Sequence, residues 1–181
     1  VTGRPLHEVY RERLFDPLGM DHTYMEFREM PRHAIPRRSL SHIYMNMIDY
    51  TSVTAYSANW AGGGLVTTAE DLNRFIRAFF RNEMFDNPLI REETFEWVDA
   101  GDGVYYGFGI QRLVFDKFGI PDYIGLGELW GHSGFGSSFM YYWRDQDISF
   151  CGTLNQAVLE TEGGLAAWFI KNILPIMMDL K

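Results

Sequence analysis

The spacing of apolar residues changes from a helical to a strand period near Tyr105, and that change bounds the folds open to this chain. Ahead of it, Leu72, Phe75, Ile76, Phe79 and Phe80 recur at i, i+3, i+4, i+7 and i+8, the buried stripe of an amphipathic helix. Behind it the period is two. Tyr105–Phe115, Glu128–Ser133, Ser138–Arg144 and Ile148–Asn155 each read as a strand, and the short link Asp145-Gln146-Asp147 makes the last two an antiparallel hairpin. Gly163-Gly164 then leads into a closing helix. Its Leu165, Trp168, Phe169, Ile173 and Ile176 would press on one face of the sheet, with Pro175 kinking or ending it. The order predicts an α+β fold, an antiparallel sheet flanked by helices.

Residues 1–104 read mostly as helix and loop, and residues 105–181 as strands plus the closing helix. A first helix over Pro5–Phe15 carries Leu6, Val9, Tyr10 and Leu14 on one stripe and stops at Asp16-Pro17. Thr67 to Glu70 forms a capping box for the helix behind it, with Thr67 as N-cap, and Glu70–Arg74 is a favourable i,i+4 pair. Asn87-Pro88 starts a shorter helix through about Trp97. Residues 25–60 hold no sustained period, and Arg28, Arg32, Arg37 and Arg38 make a basic cluster there that reads as a solvated surface, with contact to an acidic substrate or partner as the other reading. A sheet of about four strands has two edges, and no segment of the chain obviously covers them. Further strands, or self-association through an exposed edge, are expected beside them.

The charge balance excludes some partners. Lys and Arg number 16 against 24 Asp and Glu, a net charge of −8, which argues against a nucleic-acid surface. No apolar run reaches about 18 residues, so no membrane span is expected. Cys151 is the single cysteine, which excludes an internal disulfide and a Cys-based zinc site. Flanked by Phe150 and Gly152, it reads as a buried strand thiol. His7, His22, His33, His42 and His132 are scattered without metal-ligand spacing, and Gly125-Leu126-Gly127 leads into a strand rather than a phosphate-binding helix. No metal or cofactor is implied.

Chemistry concentrates in Trp130-Gly131-His132-Ser133-Gly134-Phe135-Gly136, a strand end that opens a glycine-rich turn. Small residues there let a substrate backbone lie against the strand edge. N–H groups beside Gly134 could face a developing oxyanion, and His132 could donate to a carbonyl or relay a proton. The same residues also describe a tight turn with a structural histidine. A nucleophile elbow is excluded, because the last glycine of G-x-S-x-G is missing and a strand follows rather than a helix.

Four segments carry a family resemblance. Phe15-Asp16-Pro17-Leu18-Gly19-Met20-Asp21-His22-Thr23 resembles the F-x-P-L-G-M-x-x-T signature of the serine β-lactamase and penicillin-binding-protein superfamily. Within it, the class C-like branch of β-lactamases, DD-peptidases, D-aminopeptidases and esterases is the nearest in pattern. Ala61-Gly62-Gly63-Gly64-Leu65-Val66-Thr67-Thr68-Ala69-Glu70-Asp71-Leu72 is similar to that branch's A-G-G-L-x-S-T-A-x-D-L segment. Tyr106-Gly107-Phe108-Gly109 resembles its Y-G-L-G strand start, and Gly131-His132-Ser133-Gly134 its third catalytic box, written K-T-G or H-x-G. All four stand in the family's order over Val1 to about Met178.

The resemblance implies acyl transfer: a serine in S-x-x-K attacks a carbonyl, and the acyl-enzyme is then hydrolysed. It gives His132 the role of the box's first residue, helping to bind a substrate carboxylate or to polarise the network. Ser133 would offer a hydroxyl, Gly134 would give room, and the Phe135 N–H would be an oxyanion donor. Trp60 and Gly136 are weaker substrate-contact candidates. The sequence departs from the pattern at the nucleophile. Lys117, Lys171 and Lys181 are preceded three residues earlier by Val114, Trp168 and Met178, so no S-x-x-K is present. Tyr44-Met45-Asn46 and Ser57-Ala58-Asn59 match Y-x-N and S-x-N but stand after the P-L-G-M turn, out of family order. The chain therefore reads as the C-terminal part of a single β-lactamase-like domain, an incomplete β-lactamase/transpeptidase-like fold, inactive alone. Its substrate in the intact parent would be a β-lactam, a D-amino-acid peptide or an ester. A catalytically dead ligand-binding relative, and a self-standing interaction domain, are the alternatives.

Overall fold

The computed structural model describes residues 2–33, 40–54 and 60–157, together with residues 172, 173, 175 and 176. The first helix, α1 (Leu6–Tyr10), continues into a wider turn over Arg11–Phe15, where Asp16 N–H donates to the Arg11 carbonyl at 2.9 Å. The chain then turns through Pro17-Leu18-Gly19-Met20, with Gly19 at φ 64°. Short strands follow: β1 (Tyr24–Met25), the hairpin β2 (Tyr44–Met45) and β3 (Ile48–Asp49), and β4 (Leu65–Val66), which pairs with β1. Tyr44-Met45-Asn46 is one arm and the turn of that hairpin, with Asn46 in the left-handed region.

Helix α2 (Ala69–Phe80) forms where the stripe predicts, but its cap sits one residue later than expected. Thr68, not Thr67, is the N-cap, and its hydroxyl accepts from Asp71 N–H at 3.2 Å. The Thr67 hydroxyl is engaged by Thr23 at 2.8 Å, so a tertiary bond displaces the local box. Glu70 and Arg74 pair at 2.8 Å as the spacing predicts, and Arg74 also donates to the Gly19 carbonyl. Helix α3 (Pro88–Glu93) starts on the Asn87 cap but stops short of Trp97. Its end is drawn to the sheet: the Thr94 carbonyl accepts from Phe108 N–H at 3.1 Å.

The sheet has six antiparallel strands: β5 (Val98–Gly101), β6 (Val104–Tyr106), β7 (Gln111–Val114), β8 (Glu128–Gly134), β9 (Ser138–Trp143) and β10 (Ile148–Thr153). They pair in the order β10-β9-β8-β7-β6-β5, a meander in which each strand lies beside its sequence neighbours. Two differences from the sequence expectation matter. The sheet begins at Val98, so two of its strands start before Tyr105. The run Tyr105–Phe115 is a hairpin rather than one strand, because the chain reverses at Gly107-Phe108-Gly109-Ile110. Gly107 N–H donates to the Ile110 carbonyl at 2.8 Å and Gly109 takes φ 74°.

Strand alternation sorts the side chains onto two faces. Leu113, Leu129, Tyr141 and Trp143, with Phe115, form the buried cluster on one face. Ile173 packs against that cluster; the rest of the closing helix expected after Gly163 lies outside the described residues, save Asn172, Pro175 and Ile176, which are exposed. Trp130, His132, Met140 and Tyr142 share the other face, against α2. There Phe80 stacks on Tyr142 at 4.5 Å between centroids, and the Ser149 hydroxyl meets Asn73 at 2.9 Å. Arg112 secures the β7–β8 register: it pairs with Glu128, and its guanidinium lies 5.3 Å from the Tyr105 ring centroid. The sheet edges are β10 and the four-residue β5, and every residue of β5 is exposed. Among the described residues no helix is long and apolar enough to cross a membrane.

Candidate active site

The segment singled out by composition occupies the last half of β8 and the turn behind it. β7 pairs with β8 only from Glu128 to Gly131, because β7 begins at Gln111 after the glycine turn. On the opposite side the β9 ladder runs on, pairing His132 with Met140, Ser133 with Phe139 and Gly134 with Ser138. His132, Ser133 and Gly134 therefore have a strand on one side and an open edge on the other. Gly131 admits this geometry, since a Cβ there would stand 2.0 Å from the Met140 carbonyl oxygen and 2.8 Å from the Tyr141 ring.

The turn after the edge is held from outside. Gly136 has φ 73° and Ser137 φ 54°, both left-handed. The Thr153 hydroxyl donates to the Gly136 carbonyl at 2.8 Å, and the Ser137 hydroxyl donates to the Gln156 carbonyl at 2.5 Å. Ile43 closes on Gly136, where a Cβ would meet it at 3.3 Å, and Tyr44 is tied to the neighbouring backbone by Ala157 N–H at 2.7 Å. These partners arrive from residues 43–44 and 153–157, and no motif in the sequence announces them.

His132 is half-buried and borders a cavity of about 230 Å³ walled by Phe75, Ile76, Phe79, Phe85, Ile110 and Met140. Its ring meets Tyr106 edge-on, 5.7 Å between centroids, and its Nδ1 lies 2.5 Å from the Ser133 carbonyl oxygen. Ser133 alternates to the opposite face, beside Tyr141. The Tyr141 hydroxyl donates to Gln111 Oε1 at 2.8 Å, and burial pushes this phenol up to about 12. Phe135, the first residue of the turn, is 47% exposed, and Gly134 is exposed. Trp60 sits apart from this cavity's lining: the Arg28 guanidinium lies 4.8 Å from its ring centroid. Tyr106 is a site neighbour that the sequence offered only as part of a strand motif. Cys151 lies beside Met140 on β10, and burial pushes its thiol up to about 12, which suits an inert strand thiol. Among the described residues no group of three metal-ligating side chains converges.

An interior strand whose His-Ser-Gly end is open on one side, beside a helix and within an antiparallel sheet, is consistent with the fold that the four sequence segments imply. The chain belongs to the Beta-lactamase family, whose profile matches residues 1–174. Solved structures agree on the fold. A D-amino acid amidase from Ochrobactrum anthropi SV3, bound to D-phenylalanine, superposes with TM-score 0.76 at 21% identity over 99% of this chain and 54% of its own. A D-stereospecific amidohydrolase from Streptomyces sp. gives TM-score 0.68 at 24% identity, over 86% of this chain and 45% of its own. A penicillin binding protein from Bacillus halodurans gives TM-score 0.63 at 17% identity, over 97% and 49%. The chain thus spans about half the length of these structures. No curated protein matches it.

Proposed function

We propose that this chain supplies the strand-side wall of an acyl-transfer cleft in a serine hydrolase that cuts amide or ester bonds. The observation that carries the reading is the open edge of β8 at His132–Gly134, in a chain whose family is Beta-lactamase. A substrate backbone laid along that edge adds one more strand to the sheet. Its reacting carbonyl then falls beside the turn, where the Phe135 N–H serves as an oxyanion donor. A serine hydroxyl adds to the carbonyl carbon, its proton passes to a base and then to the leaving amine or alcohol, and water later releases the acyl group. Ser133 and Gly134 shape the edge, His132 faces the cavity, and Trp60 and Gly136 stand further from the reacting atoms. The nucleophile belongs outside these 181 residues, which hold no S-x-x-K.

Covalent labelling tests this. The 181-residue chain alone takes no label from a fluorophosphonate or a fluorescent penicillin. The protein encoded with its flanking sequence takes the fluorophosphonate on a serine that precedes a lysine by three residues. In that protein Phe135→Pro, which deletes the N–H, slows labelling about 10²-fold or more, while Phe135→Ala, which keeps it, does not. No label on the longer protein, or equal rates in the two variants, overturns the proposal; the first result favours a ligand-binding relative without catalysis.

A further inference from the structure

The cavity beside His132 is apolar to a degree that acyl transfer by itself does not require. The rings of Phe75, Phe79, Phe85 and Phe108 form much of its wall, and Ile110 and Met140 continue it beside β8. The Thr94 hydroxyl also borders it but donates to the Arg91 carbonyl at 2.6 Å. Among the described residues no carboxylate, ammonium or guanidinium lines the cavity. A charged group placed there would lose its water and find no counter-charge. An apolar cavity of about 150 Å³ already holds benzene. The 230 Å³ beside His132 therefore admits a phenyl ring or a branched alkyl group. Phe108, on the turn between β6 and β7, is 72% exposed, so this wall reaches the surface where the β7 ladder stops.

Residues opposite one another in a ladder point to the same face. His132 pairs with Met140, and both border the cavity. From His132 onward β8 has no partner on its β7 side. A substrate strand laid along that side places the residue opposite His132 with its side chain on the cavity's face. The neighbouring residue, opposite Ser133, points to the Tyr141 face instead. We propose that this cavity is the side-chain pocket of the cleft, and that the substrate it selects carries an uncharged aryl or branched alkyl group on the residue that pairs with His132. The substrate half of this statement rests on the acyl-transfer reading; the cavity's affinity for an apolar ring does not.

The test has two arms. The 181-residue chain, labelled with ¹³C-methyl methionine, is titrated with benzene. The Met140 methyl signal, assigned by its loss in Met140→Leu, is expected to shift and saturate. The protein encoded with its flanking sequence is assayed on p-nitrophenyl 3-phenylpropanoate and p-nitrophenyl acetate. Its kcat/KM is expected to favour the phenyl ester about 10–100-fold, the value of burying one ring. Met140→Trp and Phe85→Trp, which fill the cavity from β9 and from the loop after α2, each bring that ratio toward one. A loss of folding would instead lower both esters together, so the ratio reads the pocket. No benzene shift, equal rates on the two esters, or a ratio unchanged in both variants overturns the proposal. Serine labelling with equal ester rates sinks the pocket and leaves acyl transfer standing. A benzene shift in a chain whose longer form takes no serine label sinks the substrate half and leaves only an apolar binding cavity.

Discussion

The Thr23 hydroxyl donates to the Asp71 carboxylate at 2.8 Å, and both side chains are buried at 2% exposure. The bond joins the last residue of the P-L-G-M segment to the first turn of α2. Asp71 also accepts from His22 N–H at 2.9 Å, so one carboxylate holds the whole turn against the helix. Two of the four family segments are thus the two sides of one contact. Asp71→Ala strands both donors and is expected to cost about 2–4 kcal/mol in urea unfolding. Asp71→Asn, which keeps one acceptor, costs less than half of that.

Glycine substitutions along the β8 edge should separate by what surrounds them. Gly131→Ala drives a methyl into the Met140 carbonyl and the Tyr141 ring, so the strands must part. The expected loss is about 2–3 kcal/mol, and ¹⁵N shifts of His132 move with it. At Gly134 the nearest obstacle is the Ser138 hydroxyl, 2.9 Å from the added Cβ, so Gly134→Ala costs less. Gly62→Ala meets nothing within 4 Å and is expected within about 0.5 kcal/mol of the native chain. Equal losses at all three positions would contradict this packing.

Alkaline stability depends on Tyr141. Its phenol is raised by burial to about 12, from an unfolded value near 10. Between these values the unfolded chain binds fewer protons than the folded one, so stability is full below pH 10 and is lost as pH climbs toward 12. The expected fall is about 2–3 kcal/mol. Tyr141→Phe abolishes that share of the slope. At neutral pH it costs about 1–2 kcal/mol, because Gln111 Oε1 loses its donor. Denaturation midpoints at pH 8, 10 and 11.5 check both parts.

Asp49 anchors the β2–β3 hairpin. The Thr51 side chain and backbone, then the His42 imidazole at 2.7 Å, hold its carboxyl down to about 2. A depressed carboxyl stabilises the fold above its ordinary value near 4 and loses that contribution as pH falls toward 2. In a ¹³C-carboxyl titration Asp49 should remain ionised at pH 3. Thr51→Val should raise its midpoint more than His42→Ala does, and the opposite ranking would contradict the bond pattern.

Much of the fold was legible in local pattern. The stripe of α2, the Asn87 cap, β8, β9, β10 and the hairpin linking the last two follow from periodicity and turn residues, because those signals act over a few neighbouring positions. So did the box at 131–134, which small residues and a strand end mark out. The features that frame it as a candidate site came from distant partners. Thr23 takes Thr67 away from the expected cap. The Thr94 carbonyl comes within 2.2 Å of where a Gly107 side chain would begin, and the strand reverses there rather than running through.

The sequence by itself determined the α+β order, the family and the residues at the strand end, since each is written in nearest-neighbour chemistry. The tertiary structure alone decided that β7 would stop opposite Gly131, that the ladder would stay open at His132, and that the imidazole would turn back onto Ser133. Where a strand loses its partner is set by which segments, tens of residues away, reach it first, and no local period records that.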